Sequence, residues 1–120
     1  MRTMFRILLV LAALGSAGAA RAETEYYTGY SQIMRGDYAA AQSMIEKELK
    51  AGPRDADLLL NLAFVYTRTG RRAEAAALYR QVLALPDDEM MSNGGTVMSH
   101  DLAERGLKRL TVLADCRCGQ

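Results

Sequence analysis

Apolar positions recur at helical spacing along most of this chain. Leu58, Leu59, Leu62, Val65 and Tyr66 fall three or four residues apart in turn, which places them on one face of a helix. Asp55 stands ahead of this run, where a carboxylate accepts an amide hydrogen bond as a cap. Gly70 follows it and can turn left-handed without steric cost. The spacing then predicts a helix over 72–85, with Ala75, Leu78, Tyr79, Val82 and Leu83 along one side and Pro86 as its stop. Upstream, 26–35 and 37–50 read as another helix pair, closed by Gly52-Pro53. Downstream the pattern breaks from Asp87 to Gly95. Asp87-Asp88-Glu89 reads as a solvated linker and Asn93-Gly94-Gly95 as a turn. A last helix is predicted from Thr96 or Ser99, with Leu102, Ala103, Leu107, Leu110 and Leu113 as its stripe. Arg105, Lys108 and Arg109 lie off that stripe.

The first 22 residues follow another rule. Arg2 and Arg6 precede an unbroken apolar core, Ile7 to Leu14, and Ala20-Arg21-Ala22 offers small side chains for a signal peptidase. The uncharged stretch from Ile7 to Ala20 is 14 residues, short of the ~20 needed to cross a bilayer. A cleaved export signal over 1–22 is therefore expected, with an uncleaved anchor as the other reading. The mature chain would begin at Glu23, without stable membrane insertion, in the periplasm or outside the cell.

Within that mature chain two segments align at an offset of 34 residues. Gly36 matches Gly70, Ala41 matches Ala75, Ile45 matches Tyr79 and Leu49 matches Leu83. The pattern resembles the tetratricopeptide repeat, a 34-residue helix–turn–helix unit. The second copy carries Leu59, Leu62, Ala63, Tyr66, Gly70, Ala75, Tyr79 and Pro86 at or beside the family positions. The first carries Gly29, Gly36, Tyr38, Ala41, Ile45 and Pro53, but Glu25, Thr28 and Gln32 stand where apolar residues are expected. The resemblance implies an all-α fold: two repeats, about 23–55 and 56–88, stacked as a short solenoid in a helical domain over 23–115. One helix pair cannot bury its own apolar face, so neighbours must stack. The helix at about 97–114 is expected to cap the second pair, ahead of a Cys-containing tail over 116–120.

The family binds peptides or proteins on the concave face lined by first helices. The resemblance places Tyr26, Tyr30, Ile33 and Met34 of the first repeat there, with Asp57, Leu60, Phe64, Thr67 and Arg68 of the second. A face of Tyr, Phe, Leu and Met suits an apolar or amphipathic segment, with Arg68 available to an acidic group at its edge. Two readings stay open: a groove for a partner segment, or a surface covered by the last helix, the N-terminal segment or a second copy.

Composition narrows the chemistry. Half the residues are hydrophobic and 24% charged, which excludes disorder along most of the chain. Without the leader's three arginines, 12 basic residues face 14 acidic ones, which argues against nucleic acid as a partner. One His and two Cys leave little for catalysis, and no cofactor or metal is expected. Ser99-His100-Asp101 is no relay, because helix neighbours point ~100° apart. Ser99 reads as a helix cap and His100 as a solvated residue at the helix start. Asn93-Gly94-Gly95-Thr96 lacks the phosphate-loop pattern, and Asp87-Asp88-Glu89 lacks calcium-loop spacing. Met90, Met91 and Met98 either pack under the last helix or form an adaptable contact surface.

Cys116 and Cys118 are the sharpest local feature. An exported chain keeps disulfides, so the pair reads as a small-ring disulfide, a bond to another chain, or a soft-metal or redox site. The functional expectation is a non-catalytic scaffold or adaptor of the bacterial envelope, holding an envelope protein or peptide. A thiol-redox or metal-handling protein working through Cys116 and Cys118 is the alternative, and a structural homo-oligomer is the third.

Overall fold

The computed structural model describes residues 28–116. The chain runs α1 (Tyr30–Met34), α2 (Tyr38–Ala51), α3 (Ala56–Arg68), α4 (Arg72–Leu83), β1 (Glu89–Ser92), β2 (Gly95–Met98) and α5 (Ser99–Asp115). The all-α architecture holds, with one small sheet added. Consecutive helices pack on one another, and α5 lies against α4 and α3. It is thus a third layer on the second helix pair.

Local chemistry explains most of the helix bounds. The Asp37 carboxylate accepts from the Ala40 amide at 3.1 Å and starts α2. Asp55 occupies the equivalent place before α3 but makes no side-chain cap bond, contrary to expectation. Gly36 and Gly70 turn left-handed between the paired helices, at φ 75° and 83°. The α4 helix ends at Leu83, two residues before its predicted end.

The core is centred on the second repeat. Leu59, Leu62, Ala63 and Tyr66 of α3 meet Ala75, Leu78, Tyr79 and Val82 of α4, with Ile45 from α2 and Ala103 and Leu110 from α5. Gly106 lets α5 approach. A Cβ there would lie inside the contact radius of the Tyr79 ring, so the bare backbone of α5 rests on the aromatic face.

The interval expected to be linker folds as an antiparallel hairpin, with Glu89 opposite Met98 and Ser92 opposite Gly95. Gly95 supplies the positive φ, 116°, that closes the turn. The base of the hairpin is clasped. Ser99 N donates to Asp88 O at 2.9 Å, and Asp88 N donates back to Ser99 Oγ at 3.0 Å. Ser99 Oγ also donates to Asp87 Oδ1 at 3.1 Å, and the His100 amide donates to the same oxygen at 2.9 Å.

Three expectations are corrected here. Asp87 is exposed, but it is more than a solvated linker residue: its carboxylate caps α5 from a distance. Ser99 is not itself the cap but a fully buried link to Asp87 and Asp88. His100 is half-buried, and its Nε2 lies 2.8 Å from the carbonyl oxygen of Leu85, two residues past the end of α4. The amide of His100 holds the Asp87 carboxyl below its ordinary pKa, with help from the Ser99 hydroxyl.

Candidate functional site

The first-helix face is built from α1, the start of α2 and the outer side of α3. The carboxamide of Asn61 donates to the Thr28 carbonyl at 3.0 Å and ties α3 to the entry of α1. Gly29 then packs closely: a Cβ at that position would meet the Ile45 side chain at 2.9 Å. This geometry turns Tyr30 and Met34, one helical turn apart, toward solvent, with relative exposures of 46% and 62%.

At the start of α2, the Tyr38 ring meets the Phe64 ring of α3 edge-on at 6.4 Å and 62°. Arg68 stacks its guanidinium 5.8 Å from the Tyr38 centroid and donates from Nε to the Tyr38 hydroxyl at 3.2 Å. The side chain assigned to an incoming acidic group is therefore already held on an aromatic ring, with its charge exposed. Phe64 is half-buried. Sequence reasoning placed Tyr38 in the repeat motif but not on this face. The available signal was its position just after the Gly36 turn, next to the N-cap Asp37.

Not every assigned residue is on the surface. Leu60 is 7% exposed and belongs to the core, so it is a packing residue rather than a contact residue. Ile33 is half-buried against the same core. Thr67 turns its hydroxyl back to the Ala63 carbonyl at 2.8 Å. Tyr26 lies outside the described residues. The hairpin also reaches this face: the Tyr30 hydroxyl donates to Asn93 Oδ1 at 3.3 Å. Part of the face is thus covered by the chain's own turn. Met90 packs on the core while Met91, at 87% exposure, does not.

A second cleft, about 320 Å³, opens where the start of α3 faces the α4–β1 link. Arg54, Asp55, Asp57, Asp88, Glu89 and Met90 line it. Partial burial raises the pKa of Asp57, and the carboxylates of Asp55 and Asp88 raise it further. On the opposite side of the core, Tyr66 donates to Glu46 Oε1 at 2.7 Å and Gln42 donates to the same atom at 2.9 Å. The Tyr66 hydroxyl is the largest of the causes that lower the Glu46 pKa. Arg71 covers the Tyr66 ring at 4.0 Å and pairs with Glu74.

The chemical candidates remain apart. Ser99, His100 and Asp101 follow one another on α5 and form no relay; the first two are committed to the hairpin clasp. Cys116 is exposed at the end of α5, and Cys118 lies outside the described residues. Among the described residues, no group of three or more His, Cys, Asp or Glu is placed to hold a metal ion. Among them, too, no helix is long and apolar enough to cross a membrane. The leader likewise lies outside the described residues.

Set against known proteins, residues 32–91 match the family model described as tetratricopeptide repeat. No curated protein and no solved structure matches the chain significantly.

Proposed function

Because this chain belongs to the tetratricopeptide repeat family, whose repeats mediate protein–protein interaction, we propose that it is a non-catalytic adaptor of the bacterial envelope. It takes a partner segment on the first-helix face. The observation that carries this reading is the exposed pair Tyr30 and Met34 on α1, together with the Tyr38–Phe64–Arg68 cluster formed by the start of α2 and α3. Two large side chains on a five-residue helix keep about half of their surface in solvent. A partner with an apolar segment and a carboxylate would cover them and meet the Arg68 charge at the rim. The export reading rests on the apolar core and small-residue site of the first 22 residues.

The test is a crosslinked pull-down from the envelope fraction with wild type and a Tyr30→Glu/Met34→Glu variant shown to be folded. Both positions are exposed, so the variant should keep its helicity. A specific band lost in the variant, and retained in Tyr30→Phe, supports the reading. Identical bands in all three sink it. The contact between Tyr30 and Asn93 favours a second reading, in which the hairpin covers the face itself. Asn93→Ala frees the turn. It should raise partner capture if the hairpin competes and leave it unchanged if the hairpin only rests there.

A further inference from the structure

Beyond the first-helix face, a second surface is left uncovered by the described residues. A trough of about 390 Å³ runs between α4 and α5, lined by Arg72, Ala73, Ala76 and Arg80 on one side and Leu107, Leu110, Thr111 and Ala114 on the other. Its floor is almost wholly apolar. Ala73, Ala76 and Ala114 are small, which lets another backbone come as close as packed helices do, about 8–10 Å between axes. Arg72, Ala76 and Arg80 stand in one row along α4, so the two arginines are about 12 Å apart at 1.5 Å per residue. Arg72 also donates to the Leu113 carbonyl at 3.3 Å, which fixes that end of the trough to the last turn of α5. Among the described residues, no carboxylate lines it. Its polarity is therefore that of an apolar slot with positive charge along one edge.

We propose that this trough docks an amphipathic helix of a partner protein, one that carries acidic residues about two turns apart beside a face of small and aliphatic residues. The spacing follows from the two arginines. A helix laid along α4 repeats a given face every seven or eight residues, so carboxylates at that interval reach both. The apolar floor supplies the contact area and the arginines fix register and polarity. The occupant meets α4 and α5, not α1 and α3, so this site is separate from the first-helix face.

The experiment uses the purified protein and a labelled 14-residue peptide helix with a Leu/Ala face and two Glu seven residues apart. Its partner probe has Lys in place of both Glu. Fluorescence anisotropy should show saturable binding of the Glu peptide and weaker binding of the Lys peptide. Arg80→Glu should weaken the Glu peptide by roughly tenfold and narrow its margin over the Lys peptide. Ala73→Glu, at an exposed position on the trough wall, should weaken it comparably. The Tyr30→Glu/Met34→Glu variant should bind the probe as wild type does, which separates failure here from failure of the first-helix face. Equal binding of both peptides, binding indifferent to Arg80→Glu, or no saturation by ~1 mM would overturn the proposal. So would concentration-dependent self-association that Ala73→Glu abolishes, since the occupant would then be a second copy of this chain.

Discussion

The two repeats occupy equivalent places in the 34-residue frame and are built to different standards. In the second, α3 runs for 13 residues and buries Leu58, Leu59, Leu60, Leu62, Val65 and Tyr66. In the first, α1 is 5 residues long, and Gln32 is its one buried residue. Gln32 stands where Tyr66 stands one repeat later. The Tyr66 hydroxyl finds Glu46, whereas the buried Oε1 of Gln32 has no hydrogen-bond partner among the described residues. The second repeat is also enclosed, by α2 on one side and α5 on the other, while α1 packs mainly on α2. The lesson is that repeat position does not confer stability; filling the apolar slots of that position does. The under-filled repeat is the one that leaves Tyr30 and Met34 in solvent.

The largest expected effect comes from emptying the better-filled repeat. Leu59 is 1% exposed at the centre of the core. Leu59→Ala should cost ~2–5 kcal/mol, since the cavity cannot collapse between three helices. Ile33→Ala on half-buried α1 should cost less than ~1.5 kcal/mol. Chemical denaturation of both variants measures the contrast, and equal losses would break it.

Next in size is an attempt to unseat the cap. Gly106→Leu forces a branched side chain into the Tyr79 ring and should cost ~1–3 kcal/mol. Amide exchange should accelerate in α5 and α4 while α2 keeps its protection. Uniform acceleration would mean that the enclosure of the second repeat does not depend on α5.

The reverse experiment repairs the weaker repeat. Gln32→Leu removes the orphaned oxygen and fills the slot with an apolar side chain. It should stabilise the chain by about 1 kcal/mol, read as a rise of several degrees in melting temperature. A fall would show that Gln32 is satisfied in solution and that α1 is not limited by it.

This asymmetry also sets what could be read from sequence. The helices of the second repeat were legible because five apolar positions at helical spacing leave one register that buries them all. The first helix of the first repeat was legible only through its resemblance to the second. Tyr30, Met34, Phe64 and Arg68 came by the same route, and the structure leaves each at least partly exposed. Leu60 did not follow, because the repeat motif is silent on the neighbours that bury an individual position. The hairpin was missed because four-residue strands are too short to show alternation. Asp87 looked like a linker residue because its partners, Ser99 and His100, are 12 and 13 residues away.

The smallest effect is the most diagnostic, because its sign changes the pH profile. Asp57, in the first turn of α3, has its pKa raised by partial burial and by Asp55 and Asp88. The fold therefore disfavours its charged form. That penalty is full above the folded pKa, lifts as pH falls through it, and is gone below the unfolded value near ~3.9. Glu46 and Asp87 run the other way. Tyr66 and the His100 amide favour their charged forms, so their contribution is present above the unfolded pKa and is lost as pH falls through the lowered folded one. Acidification thus relieves α3 before it releases the hairpin clasp. Asp57→Asn keeps the shape and removes the relief. It should stabilise by a few tenths of a kcal/mol at pH 7, with an advantage that shrinks below about pH 4. An advantage constant across that range would mean that the acidic cleft places no electrostatic load on α3. The well-filled repeat would then hold its shape without opposing any charge at its N-terminus.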